Sequence, residues 1–507
     1  MMVTAFRSSL LAGASALLLH AGAARAQVTA AQASEVEGQI RSWMTMMLGP
    51  NIPVATRPIQ MTAAGDHFDV VVPLKPQADA MSSAINITAT ARPLAGGKWS
   101  IEGVKTAMPM RFTLDMPNPP VDGKPAVPPT TAVTYTVDVI GQDGQVLFDP
   151  SFGSPSTSTS SIKGATVRAS GGPMSSETRM GPGSSVTTIK PAGADRVDVS
   201  IDTNMQDYKV STGTMDAGPI EVGMKLLRVS GGMNGISRAR ATTLVQTLAG
   251  AFGAMMAAPA GTAADKLVPD LGKQLLAALQ DFASEMSLDE TIEGLEVKAS
   301  GVSALLAKAK IGFGAKSEQG ILQARMDLGA EDLKLPGLNL GPLMELIPTE
   351  VALRPFVSGV GVAELTRILQ ASGEKRDPAP EDIMALFSHG GIVTGLESMS
   401  LEVGGATFTG QGKVTFANPS QFSGTGQITA EDFDDLVEKV SGIPDAAQAV
   451  PVLALVKGLG KTVNDKLVWN IAYNDGKLLV NNVDVMKMMG GGGGPPPPAP
   501  RPGRPAK

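Results

Sequence analysis

No cysteine occurs among the 507 residues, which removes disulfide frameworks, thiolate nucleophiles and thiolate metal ligands together. A chain of this length buries a core large enough to hold without cross-links. Histidine is nearly as scarce, at His20, His67 and His389. Aromatic residues make up 4% of the chain, with only three Trp and three Tyr. That is too few for the two aromatic girdles of an outer-membrane barrel. The formal net charge is −6, which speaks against nucleic acid and anionic lipid surfaces as general partners, since both favour basic patches.

What is present is first an export signal. Arg7 supplies a short positive region, Ser8 to Leu19 an apolar one, and Ala24-Arg25-Ala26 a small-x-small cleavage site before Gln27. This is the order of a Sec-type signal peptide. The run is short for a spanning helix of about 20 residues, and no Cys follows it, so a lipoprotein anchor is excluded. Cleavage after Ala26 removes Arg7 and Arg25 and takes the net charge from −6 to −8. The expected location is a Gram-negative periplasm.

The mature chain reads as helices in blocks among many strands. Ser34 to Glu37 has capping-box spacing, and Val36, Ile40, Trp43 and Met47 recur at helical intervals until Gly49-Pro50. From Asp66 to about Leu147 the period is two, clearest in Val133, Tyr135, Val137 and Val139. Gly96-Gly97 and Asp143-Gly144 are expected as hairpin turns, and Pro117 to Pro129 as an extended loop. Ser151 to Thr188 is rich in Ser, Thr and Gly; it is either flexible or a set of polar strands at a sheet edge. Arg196 to Asp202 alternates as a strand.

Two apolar helices are expected over Arg238 to Ala257 and Ala263 to Ser287. The first is shorter in apolar residues than the roughly 18 of a membrane span, and Gln246 and Thr247 interrupt it. Strands return over Leu295 to Leu335, where Leu322, Ala324, Met326 and Leu328 alternate with Gln323, Arg325 and Asp327. Short helices are expected at Glu364 to Ala371 and Glu381 to Phe387, and strands at Ala406 to Ala417 and Gly424 to Ile428. Thr429 to Asp432 has the spacing of a capping box opening a helix to about Val440, and Pro444 to Val463 carries another helix. A closing hairpin sets Leu467, Trp469, Ile471 and Tyr473 on one face, turns at Asn474-Asp475-Gly476 and returns over Lys477 to Val485.

This pattern predicts an α+β fold: long antiparallel, hairpin-connected sheets with apolar helices packed on one face. The expected division is a signal peptide (1–26), an N-terminal helix with a β-rich region (27–230), a helical pair with a β-rich C-terminal region (231–487) and a disordered Gly/Pro-rich basic tail (488–507).

The chemistry-bearing motifs are all incomplete. His67 and His389 stand without a partner motif; His389-Gly390-Gly391 suggests an esterase oxyanion loop, but no Gly-x-Ser-x-Gly elbow exists. Gly458-Leu459-Gly460-Lys461-Thr462 resembles the end of a phosphate loop, yet Leu455 occupies the required first glycine, so a helix C-terminus is expected there. Gly359-Val360-Gly361 lacks the third glycine of a dinucleotide loop, where Glu364 stands. Ser160 to Lys163 and Ser372 to Lys375 match Ser-x-x-Lys without the partner motifs. Glu431, Asp432, Asp434 and Asp435 suit the first turn of a helix better than a Ca²⁺ loop. Met44, Met46, Met47, Met486, Met488 and Met489 admit Cu(I), but read more simply as gap-filling apolar residues. No catalytic, cofactor-binding or metal-ligating residue is assigned, and no cofactor.

The C-terminal segments Ile428 to Leu436, Gly458-Leu459-Gly460 and Asn474 to Asn482, with Leu335-Pro336-Gly337-Leu338, resemble an exported Gram-negative family. That family is a domain of unknown function similar in style to the AsmA and YdgA group of envelope proteins. The resemblance implies a β-rich envelope protein that handles lipid along an apolar sheet face, and no catalytic residues. It departs from the AsmA group in lacking a clear transmembrane anchor and in its Pro-rich tail. The leading expectation is therefore a non-enzymatic periplasmic protein that binds or carries a lipid or other apolar ligand, with the helix Arg238 to Ala257 as a candidate groove wall. The alternative is a scaffold engaging the cell wall or a partner protein through the tail. More remote is a hydrolase built on His67 and His389.

Overall fold

The computed structural model describes residues 28–48, 59–74, 85–117, 130–149, 154–171, 174–214, 219–244, 247, 282–299, 301–373, 376–444, 446–474 and 476–488. The signal segment, the Pro-rich loop after Pro117, most of the expected helical pair and the tail lie outside these residues. Two compact units divide the chain: Met1–Pro219 with Gly232–Phe282, and Ile220–Gly231 with Ala283–Lys507.

The first unit opens on helix α1 (Ala30–Leu48). Its cap is one turn earlier than the Ser34–Glu37 spacing suggested. The Thr29 Oγ1 accepts from the Gln32 N–H at 3.3 Å, and Gln32 Oε1 accepts from the Thr29 N–H at 2.9 Å. This reciprocal pair satisfies two donors that a helix start leaves open. Glu37 is free of capping and pairs with Arg41 at 2.6 Å.

Twelve strands follow: β1 (Gln60–Ala64), β2 (His67–Leu74), β3 (Ile85–Pro93), β4 (Trp99–Thr106), β5 (Met110–Pro117), β6 (Thr130–Ile140), β7 (Asp143–Asp149), β8 (Ser154–Ile162), β9 (Gly164–Ser170), β10 (Met174–Met180), β11 (Gly183–Pro191) and β12 (Arg196–Thr214). They form an antiparallel meander in which successive strands act as pairs. β4 and β5 lie against β7 and β6, those against β8 and β9, those against β11 and β10, and these against β12. Asp143-Gly144 is thus no hairpin turn. It starts β7, which continues the line of β6 past Gly141, and the break is held by Gln142 Oε1 accepting from the Thr106 N–H at 2.9 Å. The Ser/Thr-rich stretch resolves as strands β8 to β11 paired on both sides rather than at an edge. Val36 and Ile40 of α1 pack with Phe68, Val70, Ala91, Trp99, Ile101 and Phe148 in the core of this unit.

Strand β13 (Pro219–Ser237) contributes residues to both units, and residues 238–244 continue it as helix. Apart from residue 247, the remainder of the expected helix Arg238 to Ala257 lies outside the described residues, as does 263–281. The second expected helix does not reach Ser287, because Glu285 already begins a strand.

The second unit repeats the meander: β14 (Glu285–Ala299), β15 (Val302–Glu318), β16 (Ile321–Lys334), β17 (Glu350–Gly361), β18 (Ile392–Val403), β19 (Ala406–Asn418), β20 (Gln421–Glu431), β21 (Lys461–Val463), β22 (Lys466–Asn474), β23 (Lys477–Val480) and β24 (Val483–Asp484). Consecutive strands pair antiparallel from β14 to β20, and β20 then pairs with β22. Helices α2 (Val362–Gly373) and α3 (Pro380–Ala385) stand between β17 and β18. Helices α4 (Phe433–Gly442) and α5 (Val450–Leu459) stand between β20 and β21, and α6 (Val485–Met488) ends the unit.

Two boundaries differ from expectation. Asp432 precedes α4 in a left-handed conformation, φ 53°, without a side-chain cap, and Thr429 belongs to β20, so no capping box forms. The helix expected over Pro444 to Val463 is only α5, since Gly460 ends it and Lys461 to Val463 pair with β22. The phosphate-loop look-alike is that helix end. Phe433, Leu436 and Val440 of α4 are buried with Ala406, Ala430 and Trp469.

The fold is therefore α+β and strand-dominated, with antiparallel pairing throughout the described strands.

Candidate functional site

Paired residues in an antiparallel ladder point to the same face, so the registers of the second unit can be read across the sheet. One rung runs Ile311, Leu328, Leu353, Met399, Gly410, Ile428, Trp469 over seven strands. Another runs Ile292, Ala309, Ala330, Val351, Leu401, Phe408, Ala430, Leu467. A third runs Met286, Ala315, Ala324, Val357, Thr394, Val414, Gly424, Tyr473. Between the first and third stand Leu288, Phe313 and Met326, themselves in register. Glu290, opposite Ile311, is a charge on this face.

The reverse face is polar by the same arithmetic of alternation. Its rungs include Glu293, Lys308, Glu331, Glu350, Glu402, Thr407 and Glu431. Three of its carboxylates are paired. Lys308 meets Glu331 at 2.9 Å, Arg354 pairs with Asp327, and Lys466 with Glu431. The Glu331 carboxylate raises the Lys308 ammonium above its ordinary value. Two open hollows flank Phe356 here. One of about 430 Å³ is lined by Glu285, Ser287, Lys316 and Arg325, the other of about 390 Å³ by Glu397, Gln411, Lys413 and Thr425.

The apolar face is covered at one end and open at the other. At β19, β20 and β22 it carries α4 and α5, with Phe433 edge-on to Phe408 and to Trp469 at 6.0 and 5.8 Å. Toward β14 to β16 the side chains of Leu288, Ile311, Phe313 and Met326 are each between 39% and 47% exposed. A registered apolar patch left in solvent is uncommon on a folded chain and marks a surface that takes a partner or ligand. Beside Gly424, Phe416, Phe422 and Tyr473 form a stack with centroids 5.6 and 4.7 Å apart, and the latter pair is nearly parallel at 6°. Gly410, Gly412 and Gly426 leave bare backbone beside that stack, in register with Met399, Leu396 and Ile471.

The residues considered from the sequence lie elsewhere. His67 belongs to the first unit, where its Nδ1 meets Asp66 Oδ1 at 2.9 Å and its Nε2 stands 3.8 Å from Asp69. His389 belongs to the second, with Nε2 3.6 Å from Glu364 Oε2. Glu364 also meets Arg367 at 3.2 Å, and Arg367 meets Asp382 at 2.9 Å, so this chain of charges ties α2 to α3. A backbone hydrogen bond, reinforced by Arg367 and His389, holds the Glu364 carboxyl below its ordinary range. Asp434 and Glu431 are taken up by Lys457 and Lys466. No group of three or more metal-ligating side chains assembles among the described residues. Met486 and Met488 are exposed on α6; Met489 and the side chains of Met44, Met46 and Met47 lie outside the described set.

Sequence alternation flagged Leu322 to Leu328, but not Leu288, Ile311 and Phe313. The signal was there: apolar residues at 286, 288, 292 and at 309, 311, 313 alternate with Asp289, Glu293, Lys308 and Lys310. It becomes a face only when the registers are known. No helix among the described residues is long and apolar enough to cross a membrane.

Comparison with protein-family models, with curated proteins and with solved structures finds no match for the chain.

Proposed function

We propose that this is a non-enzymatic, exported envelope protein that binds or carries a lipid or another apolar ligand on the open face of its C-terminal sheet. One observation carries the reading: Leu288, Ile311, Phe313 and Met326 stand exposed within a registered apolar surface whose reverse side is charged. Acyl chains suit such a surface, because apolar contact without direction accepts a flexible chain. The signal-peptide pattern at 1–26 and the resemblance to the AsmA and YdgA group support the same reading.

The test begins with the full chain purified gently from its own envelope fraction and examined by native mass spectrometry with organic extraction. In parallel the delipidated chain is titrated with the apolar fluorophore N-phenyl-1-naphthylamine. Replacing Phe313→Glu together with Met326→Lys puts a registered opposite-charge pair on the open face, which the ladder accommodates. The double variant should bind the fluorophore about tenfold more weakly, ~1.4 kcal/mol, with an unchanged urea midpoint. A lipid-free extract combined with equal fluorophore binding by parent and variant would overturn the proposal.

A further inference from the structure

Helix α5 has an unusual balance of composition and exposure. Its ten residues, Val450 to Leu459, carry a single charge, Lys457. A helix apolar on nearly every side belongs in a core or at a lipid boundary, yet no residue of α5 is buried. Leu453 and Leu459 turn inward to the cluster of Phe433 and Trp469. Val452, Leu455 and Val456 turn outward at 60%, 45% and 37% exposure. Asn481 binds the helix end, donating from Nδ2 to the Leu459 carbonyl at 2.8 Å, and leads within a few residues to the exposed Met486 and Met488 of α6. Beyond Met488 the chain continues to residue 507 with Arg501, Arg504 and Lys507 as its only charges.

We infer that the outer face of α5, with Met486 and Met488, docks at the surface of an anionic phospholipid bilayer, and that the cationic tail supplies the electrostatic half of the attachment. At ten residues the helix is about 15 Å long, half the ~30 Å of a hydrocarbon core, so it lies in the interface and does not span. An apolar face combined with a separate basic segment is the two-signal arrangement that gives stable but reversible membrane binding. The acidic net charge of the chain does not oppose it, since the tail's cations are segregated in sequence. Of the carboxylates around α5 and α6, Asp434 pairs with Lys457 and Glu431 with Lys466, and Asp484 Oδ1 accepts from the Lys487 backbone N–H at 3.2 Å. Asp435 and Glu438 line a different hollow with Glu345 and Lys439. The inference rests on the apolar-ligand reading in one respect: the bilayer is where the sheet would collect its lipid.

Flotation of the full chain with vesicles tests it, comparing pure phosphatidylcholine with an equal mixture of phosphatidylcholine and phosphatidylglycerol. The parent should float with the anionic vesicles. Val452→Asp with Leu455→Asp should lower the bound fraction about tenfold or more, without moving the urea midpoint, because both side chains are exposed. Arg501→Ala, Arg504→Ala and Lys507→Ala together should abolish the salt dependence of binding. A parent that stays with neither vesicle, or a Val452/Leu455 variant that floats as the parent does, overturns the inference. Fluorophore titration without vesicles keeps the two readings apart. Retained binding by a chain that does not float removes only the docking surface; flotation by a chain that binds no fluorophore removes only the carrier.

Discussion

The indole of Trp469 donates from Nε1 to the carbonyl of Val456 at 2.8 Å. It thereby fastens α5 to the sheet through β22, the first strand of the closing hairpin, in the cluster that also holds Ala430 and Phe433. Replacing Trp469→Phe keeps an aromatic ring in the cluster and removes the donor. Loss of one buried hydrogen bond and some volume should cost about 2 kcal/mol, read as a lowered urea midpoint by circular dichroism. A variant as stable as the parent would mean that the bond contributes nothing to holding α5.

Asn481 is a second fastening. Its Nδ2 donates to the carbonyls of Leu459 and Val468 at 2.8 Å each, and its Oδ1 accepts from the Asn470 backbone and side chain at 3.1 Å. The residue is buried and holds φ 50°, a conformation that Asn tolerates better than Ala. Asn481→Ala should destabilise by about 3 kcal/mol, and Asn481→Gly by less, since glycine escapes the backbone strain. Equal losses in the two variants would remove the strain from the account.

Gly312 sits on the polar face between two aspartates. A Cβ there would stand 2.9 Å from Asp289 Oδ1 and 2.9 Å from Asp327 Cβ, whereas a Cβ at Gly314 would meet nothing nearer than Arg325 Nε at 3.4 Å. Gly312→Ala should cost about 1–3 kcal/mol, and Gly314→Ala clearly less. Thermal melts of the two variants side by side decide it, and a reversed order would refute the crowding at 312.

Glu364 predicts a pH dependence. Its carboxyl is held below the ordinary value of 4.5 in the folded chain, first by a backbone hydrogen bond and then by Arg367 and His389. Folding therefore favours the ionised form, so the stabilisation is complete above about pH 4.5 and is lost as the pH falls through the lower folded value. Glu364→Gln should be less stable than the parent at pH 7, and the gap should close on acidification. A gap that stays constant from pH 7 to about pH 3 would detach Glu364 from the acid response.

Much of the second unit was legible before any coordinates. Strands at Ala406 to Ala417 and Gly424 to Ile428, the short helices after Glu364 and Glu381, and the shared face of Leu467, Trp469, Ile471 and Tyr473 all follow from local period. Alternation of side chains is a property of the backbone itself, so it survives whatever the strand pairs with. Local signals misled where two of them competed. Ser34 and Glu37 have cap spacing, but Thr29 and Gln32 are the pair that meets the helix start. Asp143-Gly144 has turn chemistry, but β6 and β7 do not pair with each other: β6 lies between β5 and β9, and β7 between β4 and β8.

The candidate surface shows the same division. By itself the sequence determined that apolar and charged residues alternate at 286–292, 309–315 and 322–330, that no cysteine chemistry is available, and that His67 and His389 lack partner motifs. Only the tertiary structure decided that the apolar sets of these strands fall in register on one side, that α4 and α5 cover the far end, and that Leu288, Ile311, Phe313 and Met326 stay open. The reason is that alternation has a period of two but no address. Which strand lies beside which, and in what register, is set by hydrogen bonds between residues tens of positions apart, and a helix covers a face only where the chain's turns deliver it.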